Sequence, residues 1–265
     1  MNAPNRILPG EQEWLHPRAE IMPPPRQADA APLALEINPG LDIAVLAKSY
    51  AEHRKLRLSG LLSSGAVELH DHLQQSDEWI HLVTGSKGVL EHDRQARRRL
   101  GTERLNGIGL EAQARARQAF QYRYEAIRVP DPCEGQRSDP LGQFAALMAS
   151  AQMRELLAGI IGAQVGGFAD GQATAYGPGD FLTQHDDAVE GKDRLAAFVY
   201  GLTPGWRIDW GGLLLFHGER DRDAEALAPR FNTLDLFAVP RAHSVSLVSR
   251  AAAHRRYAIT GWLTR

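Results

Sequence analysis

The chain has 265 residues, enough for one elaborated domain or two small ones with a sizeable core. Its 43% apolar and 23% charged residues are ordinary for a globular protein, and a formal net charge of −2 gives no overall field that would select nucleic acid or an anionic membrane. Cys133 is the one cysteine, which excludes an intramolecular disulfide and a cysteine-built zinc site, so any metal must be held by His and carboxylates.

No apolar run approaches the twenty or so residues of a membrane span, and the opening MNAPNRILPGEQEWLHPRAE lacks the apolar core of a secretory signal. A cytoplasmic protein without a membrane partner is expected. Residues 1–33 are rich in Pro, charge and small residues (IMPPPRQADAAP) and read as a mobile arm. A mixed, mostly helical support region is expected over 34–163. LALEINPG (33–40) reads as a first strand, and DIAVLAKSYAEHRKLRL as a helix running into a strand at Leu56–Leu58. AVELHDHLQQ (66–75) reads as helix and WIHLVTG (79–85) as strand. The basic run RQARRR (94–99) has no interleaved aromatics and reads as a solvated helix face or loop, so nucleic acid is not an expected partner.

The strongest helical pattern spans Glu103 to Val129. There Leu105, Ile108, Ala112, Ala116, Phe120, Tyr124 and Ile127 recur at intervals of three or four. VPDPCEGQRSDPLG (129–142) interrupts it, and FAALMASAQMRELLAGIIG (144–162) reads as a further helix ended by glycine.

From Gln164 the texture changes to short β-branched and aromatic segments between Gly, Pro and Asp turns. The expected strands are 173–176, 181–187, 195–202, 212–217, 234–240, 244–248 and 257–263. Many short strands after a run of helices imply an α+β fold, with a double-sheet β core over 164–265 buttressed by the helices before it, and 34–265 as one unit.

Within FLTQHDD, residues two apart on a strand share a face, so His185 and Asp187 would point the same way. An imidazole and a carboxylate side by side can occupy adjacent positions on one ion. A third ligand from elsewhere would complete the facial set of two His and one carboxylate that leaves open positions on Fe(II). His-x-Asp is short enough to arise by chance, and His217 and Glu219 form a comparable pair. His243 lies in a later β-rich segment, where an isolated His is more often packed or exposed than ligating. In RRYAITGWL, Arg256, Ala258, Thr260 and Trp262 should share one face, opposite Tyr257, Ile259 and Leu263. Small residues beside Arg256 leave room for a dicarboxylate to reach its planar fork. An exposed strand-end arginine is the plainer alternative.

Taken in order, AYGPGDFLTQHDD, AAFVYGLTPGWRIDWGGLLLFH, PRFNTLDLFAVPRAHSV and RRYAITGWL resemble successive motif blocks of the prolyl 4-hydroxylase-like superfamily of Fe(II)/2-oxoglutarate dioxygenases. The nearest branch includes the ribosomal-protein prolyl hydroxylases and their bacterial relatives. The likeness covers roughly residues 164–265. It implies a double-stranded β-helix (jelly-roll) core, with the helices against the outside of its larger sheet. It implies His185, Asp187 and His243 as metal ligands and Arg256 as the group binding the far carboxylate of 2-oxoglutarate. Arg255 would face the other way. Tyr176 stands where relatives place a tyrosine that hydrogen-bonds this cosubstrate, and a core aromatic is an equal reading of it. Trp206, Trp210 and Gly211–Gly212 read as a structural turn block, and His217 as part of the fold. The longer segment between His243 and Arg256 leaves room for His254 near the site.

The implied cofactors are Fe(II), 2-oxoglutarate and O2, with ascorbate as an accessory reductant. The implied reaction is hydroxylation of a C–H bond, of a prolyl residue in a protein or peptide, with release of succinate and CO2. The same chemistry on a free amino acid or small metabolite is the alternative. A non-catalytic β-barrel that binds metal or ligand is a third reading, disfavoured because all four expected residues are retained.

Overall fold

In the computed structural model, residues 33–131, 139–218 and 223–265 are described. The N-terminal arm, apart from Leu33, and Cys133 lie outside them.

Local chemistry accounts for the helix boundaries. After β1 (Glu36–Ile37), α1 (Ile43–His53) starts where the Asp42 side chain accepts from the Val45 N–H, and it ends at Arg54 in the left-handed conformation. Next come β2 (Lys55–Ser59), β3 (Leu62–Ser64), α2 (Ala66–Gln75), β4 (Ile80–Gly85) and β5 (Gly88–His92). Helix α3 (Arg94–Arg115) is capped by Asp93 and interrupted at Gly101, whose φ of 73° is not helical. Strand β6 (Tyr122–Arg128) follows. Helices α4 (Pro140–Ala149) and α5 (Ala151–Ile161) meet at Ser150, which ends the first and caps the second through Met153 N–H; they bend by 58°. The remaining strands are β7 (Gly167–Tyr176), β8 (Phe181–His185), β9 (Arg194–Leu202), β10 (Leu214–His217), β11 (Ala224–Leu227), β12 (Phe231–Ala238), β13 (His243–Val245) and β14 (Arg256–Thr264).

Every strand pairing is antiparallel. The larger sheet runs β6-β7-β14-β9-β12-β2, and β11-β10-β13-β8 continues from it through the β6·β8 pairing. The path curls until its ends face each other. Leu214 and Phe216 of β10 pack on Ala197, Val199, Phe237 and Ala258 across the interior. This is a jelly-roll core with supporting helices. Alternate residues of the same strands, among them Phe198, Tyr200, Leu234, Leu236, Tyr257 and Ile259, face outward. There they join Leu69, Leu73, Phe144, Met148, Met153 and Leu157 from α2, α4 and α5 in the main core. Each large apolar side chain fully buried there contributes about 1.5–3 kcal/mol. The helices therefore fix the outer face of the larger sheet and leave its inner face free to be polar.

Three expectations need correction. The helix expected over Glu103–Val129 ends at Arg115, and Tyr122–Arg128 is a strand. Tyr124 and Ile127 fit a helical stripe, but YRYEAIR also alternates, and ladders to β4, β7 and β8 decide in favour of strand. The single helix over 144–162 is two, because the Ser150 side chain offers a cap in mid-run. Strand 181–187 ends at His185, since Asp187 has a φ of 64° and cannot continue an extended chain. Strands β5 and β11 were not expected; their faces are largely exposed, so neither shows a clean apolar alternation.

Candidate metal centre and cosubstrate pocket

The site grows from a strand pairing. β8 and β13 run antiparallel with His185 directly opposite His243, and the two rings sit 4.1 Å apart between centroids. Sequence reading placed His185 on a strand and His243 in a β-rich segment but did not show that they are cross-strand neighbours. His185 Nδ1 bonds the Thr183 carbonyl at 3.1 Å and His243 Nδ1 the Arg241 carbonyl at 2.8 Å. With Nδ1–H donating to a carbonyl, Nε2 of each ring presents its lone pair inward. Just past the strand end, Asp187 returns its carboxylate to these nitrogens. Oδ1 is 3.3 Å from His185 Nε2, and Oδ2 is 3.4 Å from His243 Nε2.

Electrostatics keep the trio ready for a cation. Burial, reinforced by the neighbouring His185, lowers the pKa of His243 to about 4, so its ring is neutral at neutral pH. Burial pulls the Asp187 carboxyl upward, but the two imidazoles facing it outweigh burial and hold it below its ordinary value. Two imidazoles and one carboxylate, with all three ligand atoms within 4.8 Å of one another, form a donor set that fits Fe(II). His243 and Asp187 are buried, while His185 stays about one-fifth exposed, which marks the open side.

Arg256 lies on the inner face of β14 with Ala258 and Trp262, while Tyr257, Ile259 and Leu263 point into the helix-covered core. Arg255 faces outward and pairs with Glu125 at 2.8 Å. The Arg256 guanidinium is 5% exposed, and its Nη1 lacks a hydrogen-bond partner. Among the described residues no carboxylate forms an ion pair with it. Its carbon lies 5.1 Å from the centroid of Tyr176, its register partner on β7. Burial lowers the pKa of Arg256. A buried cation with an idle donor fits the carboxylate of a small diacid. Gly212, at φ 62°, borders this space; a Cβ there would meet Val248, Trp206 and then Arg256 Cδ at 3.6 Å.

Residues 171–264 match the model of the 2OG-Fe(II) oxygenase superfamily. The match runs from within β7 to the end of β14 and includes His185, Asp187, His243 and Arg256. Solved structures share the fold. A Pseudomonas putida prolyl-4-hydroxylase is 17% identical, over 84% of this chain and 99% of its own, with a TM-score of 0.53. A Trichoplax adhaerens prolyl hydroxylase, solved with a hypoxia inducible factor oxygen degradation domain peptide fragment, is 17% identical over 84% and 88%, with a TM-score of 0.55. The alpha-ketoglutarate-dependent epimerase SnoN from nogalamycin biosynthesis is 10% identical over 84% and 82%, with a TM-score of 0.53. No curated protein sequence matches the chain.

Other residues of this β core fall into place around the trio. Tyr176 is buried, and burial pushes its hydroxyl pKa well above the ordinary value. It stacks on Tyr124 at 5.2 Å. A row of rings continues outward through Tyr122 to Phe120, which is 48% exposed and 5.6 Å from the His185 ring. This row was missed because β6 was read as helix; the alternation of Tyr122 and Tyr124 was its signal. His217 bonds Ser244 Oγ at 2.8 Å and belongs to the fold, while Glu219 lies outside the described residues. His254 is exposed and packs edge-on against Trp206 and Trp210. Trp206 in turn donates to the Gly211 carbonyl, as a turn block should.

Proposed function

We propose that the protein is an Fe(II)- and 2-oxoglutarate-dependent dioxygenase that hydroxylates a prolyl residue of a protein or peptide, releasing succinate and CO2. The observation that carries this reading is the convergence of two Nε2 atoms and one carboxylate, each imidazole held by its other nitrogen, inside a barrel that also buries an unpaired arginine.

In this reading His185, Asp187 and His243 hold Fe(II), and Arg256 binds the far carboxylate of 2-oxoglutarate, with Tyr176 beside it. The bound iron and cosubstrate supply the activation of O2 for insertion into a C–H bond. The chain supplies position and a dry interior. His185 and His243 present their Nε2 atoms, Asp187 offsets cationic charge, and the inner-face apolar residues exclude water. The aromatic row from Tyr176 to Phe120 leads from this interior to solvent and offers flat faces to a pyrrolidine ring.

A small-metabolite substrate is the second reading, supported by a structural neighbour, the epimerase SnoN from nogalamycin biosynthesis. Succinate formation from 2-oxoglutarate, with and without ascorbate, tests the activity, and Asp187→Ala should abolish it together with iron retention. Proline-containing peptides compared with free amino acids, read by mass for one added oxygen atom, separate the two substrate classes. Wild-type protein that neither retains iron nor forms succinate would remove the proposal.

A further inference from the structure

Asp187 sits in a backbone conformation that few residues other than glycine adopt. With φ at 64° it occupies the left-handed region, which costs an L-residue about 1–2 kcal/mol relative to right-handed backbone. It lies two residues beyond the end of β8, so no strand ladder holds it. The peptide before it is held where the Arg241 N–H donates to the Asp186 carbonyl at 3.3 Å, and the peptide after it by Arg194, the first residue of β9. Arg194 Nη1 donates to the Asp187 carbonyl at 3.0 Å, and Nη2 donates to Asp170 Oδ2 at 2.9 Å. The guanidinium carbon lies 3.7 Å from the centroid of the Trp262 ring. The Arg194 side chain is 8% exposed. Asp170 is itself left-handed, at φ 53°, and also pairs with Lys192. Trp262 shares the inner face of β14 with Arg256, and its indole N–H lies beside the Asp187 carboxylate without closing a hydrogen bond.

One planar cation therefore fastens three pieces of chain: β7 through Asp170, the Asp187 turn through its carbonyl, and β14 through stacking on Trp262. A guanidinium can donate in two in-plane directions while presenting a face to an indole, which the ammonium of lysine cannot do. The carbonyl it grips belongs to the residue whose carboxylate must meet two imidazoles, and the torsions on either side of that residue's Cα set where the carboxylate points.

We infer that Arg194 is a positioning residue for the metal centre, fixing the backbone of Asp187 so that its carboxylate completes the ligand set. The inference rests on the iron-binding reading above. Its test uses Co(II) as probe with the full-length protein, chelated beforehand. The affinity is read by titration, the ligand geometry by the visible Co(II) spectrum, and fold integrity by the melting temperature of the metal-free form. Arg194→Met should weaken Co(II) binding about 10–100-fold, the range for loss of a group that orients a ligand, and should alter the spectrum. Arg194→Lys keeps the charge and a partner in Asp170 but cannot bridge and stack. It should show a similar loss of affinity with a melting temperature close to wild type. If Arg194→Met fails to fold, Arg194→Lys carries the test alone. Wild-type affinity and spectrum in the folded variants would overturn the inference, leaving Arg194 a structural clamp. Full recovery by lysine would also overturn it, because charge rather than geometry would then suffice. If wild-type protein binds no Co(II), the iron-binding reading fails instead.

Discussion

Replacing Arg256 by methionine should make the metal-free protein more stable and the enzyme worse. The guanidinium is buried, one of its nitrogens has no partner, and its nearest aromatic neighbour is the face of Tyr176. Asp235, the acidic residue that raises its pKa, is already held by Arg57 through two bonds of 2.6 and 2.7 Å. Exchanging buried charge for well-packed apolar volume is neutral or stabilising by about 1–4 kcal/mol. For a chain of this size each kcal/mol moves the melting temperature by about 2–4 °C, so a rise of several degrees is expected by calorimetry on chelated protein. Cosubstrate binding moves the other way. Two charge-assisted hydrogen bonds at about 1.5–3 kcal/mol each correspond to a rise of about 10²–10⁴-fold in the 2-oxoglutarate concentration for half-maximal succinate formation. A variant with lower metal-free stability and an unchanged 2-oxoglutarate requirement would refute the reasoning, because Arg256 would then be a structural residue already satisfied in the free protein.

Three further outcomes are expected. Tyr176→Phe removes only the hydroxyl; if that group bonds the cosubstrate, the 2-oxoglutarate requirement rises by about 2–13-fold, the equivalent of one ordinary hydrogen bond, whereas a core aromatic would leave it unmoved. Metal-free stability should fall on acidification from pH 6 to 4. His81 and His243 are held neutral by burial down to about pH 3 and 4, so the unfolded chain takes up two protons that the fold refuses. Asp180, which burial pushes up to about 6, opposes them, because there the folded state takes the proton first. The net difference of about one proton gives a loss of about 1.4 kcal/mol per pH unit, and Asp180→Asn should steepen it to about 2.7. Urea titrations across that range check both slopes, and a shallower slope in the variant would contradict the assignment. Gly211→Ala should cost about 2–4 kcal/mol, since Gly211 has a φ of 71° and an added Cβ would lie 2.0 Å from the Leu247 carbonyl oxygen; a thermal melt within a degree of wild type would contradict it.

The readable parts of the chain were those where local pattern and tertiary demand coincide. In RRYAITGWL the alternation is set by one face against helices and the other against the barrel interior, so Arg256 could be aimed from sequence. Glu103–Val129 shows the opposite. Tyr124 and Ile127 satisfy a helical stripe and an alternating strand equally, and pairing with strands from three other regions settles the choice. His185 and Asp187 do come together, but not as expected: a shared strand face was expected, whereas a left-handed turn brings the carboxylate back. Aspartate tolerates that conformation better than most residues, but nothing local demands it. Arg194 was not found because its three partners come from β7, the turn after β8 and β14, and no window of sequence contains them.

The pairing of His185 with His243 has a mechanical side. Only two register pairs join β8 to β13, with an irregularity between them, so this seam of the curled sheet has little hydrogen bonding of its own. An ion gripped by both imidazoles would act as a rivet across that seam, tying together strands that lie more than fifty residues apart in the chain. Loading the site and closing the barrel would then be a single event. Loss of the ion would then loosen the wall and the ligand set together.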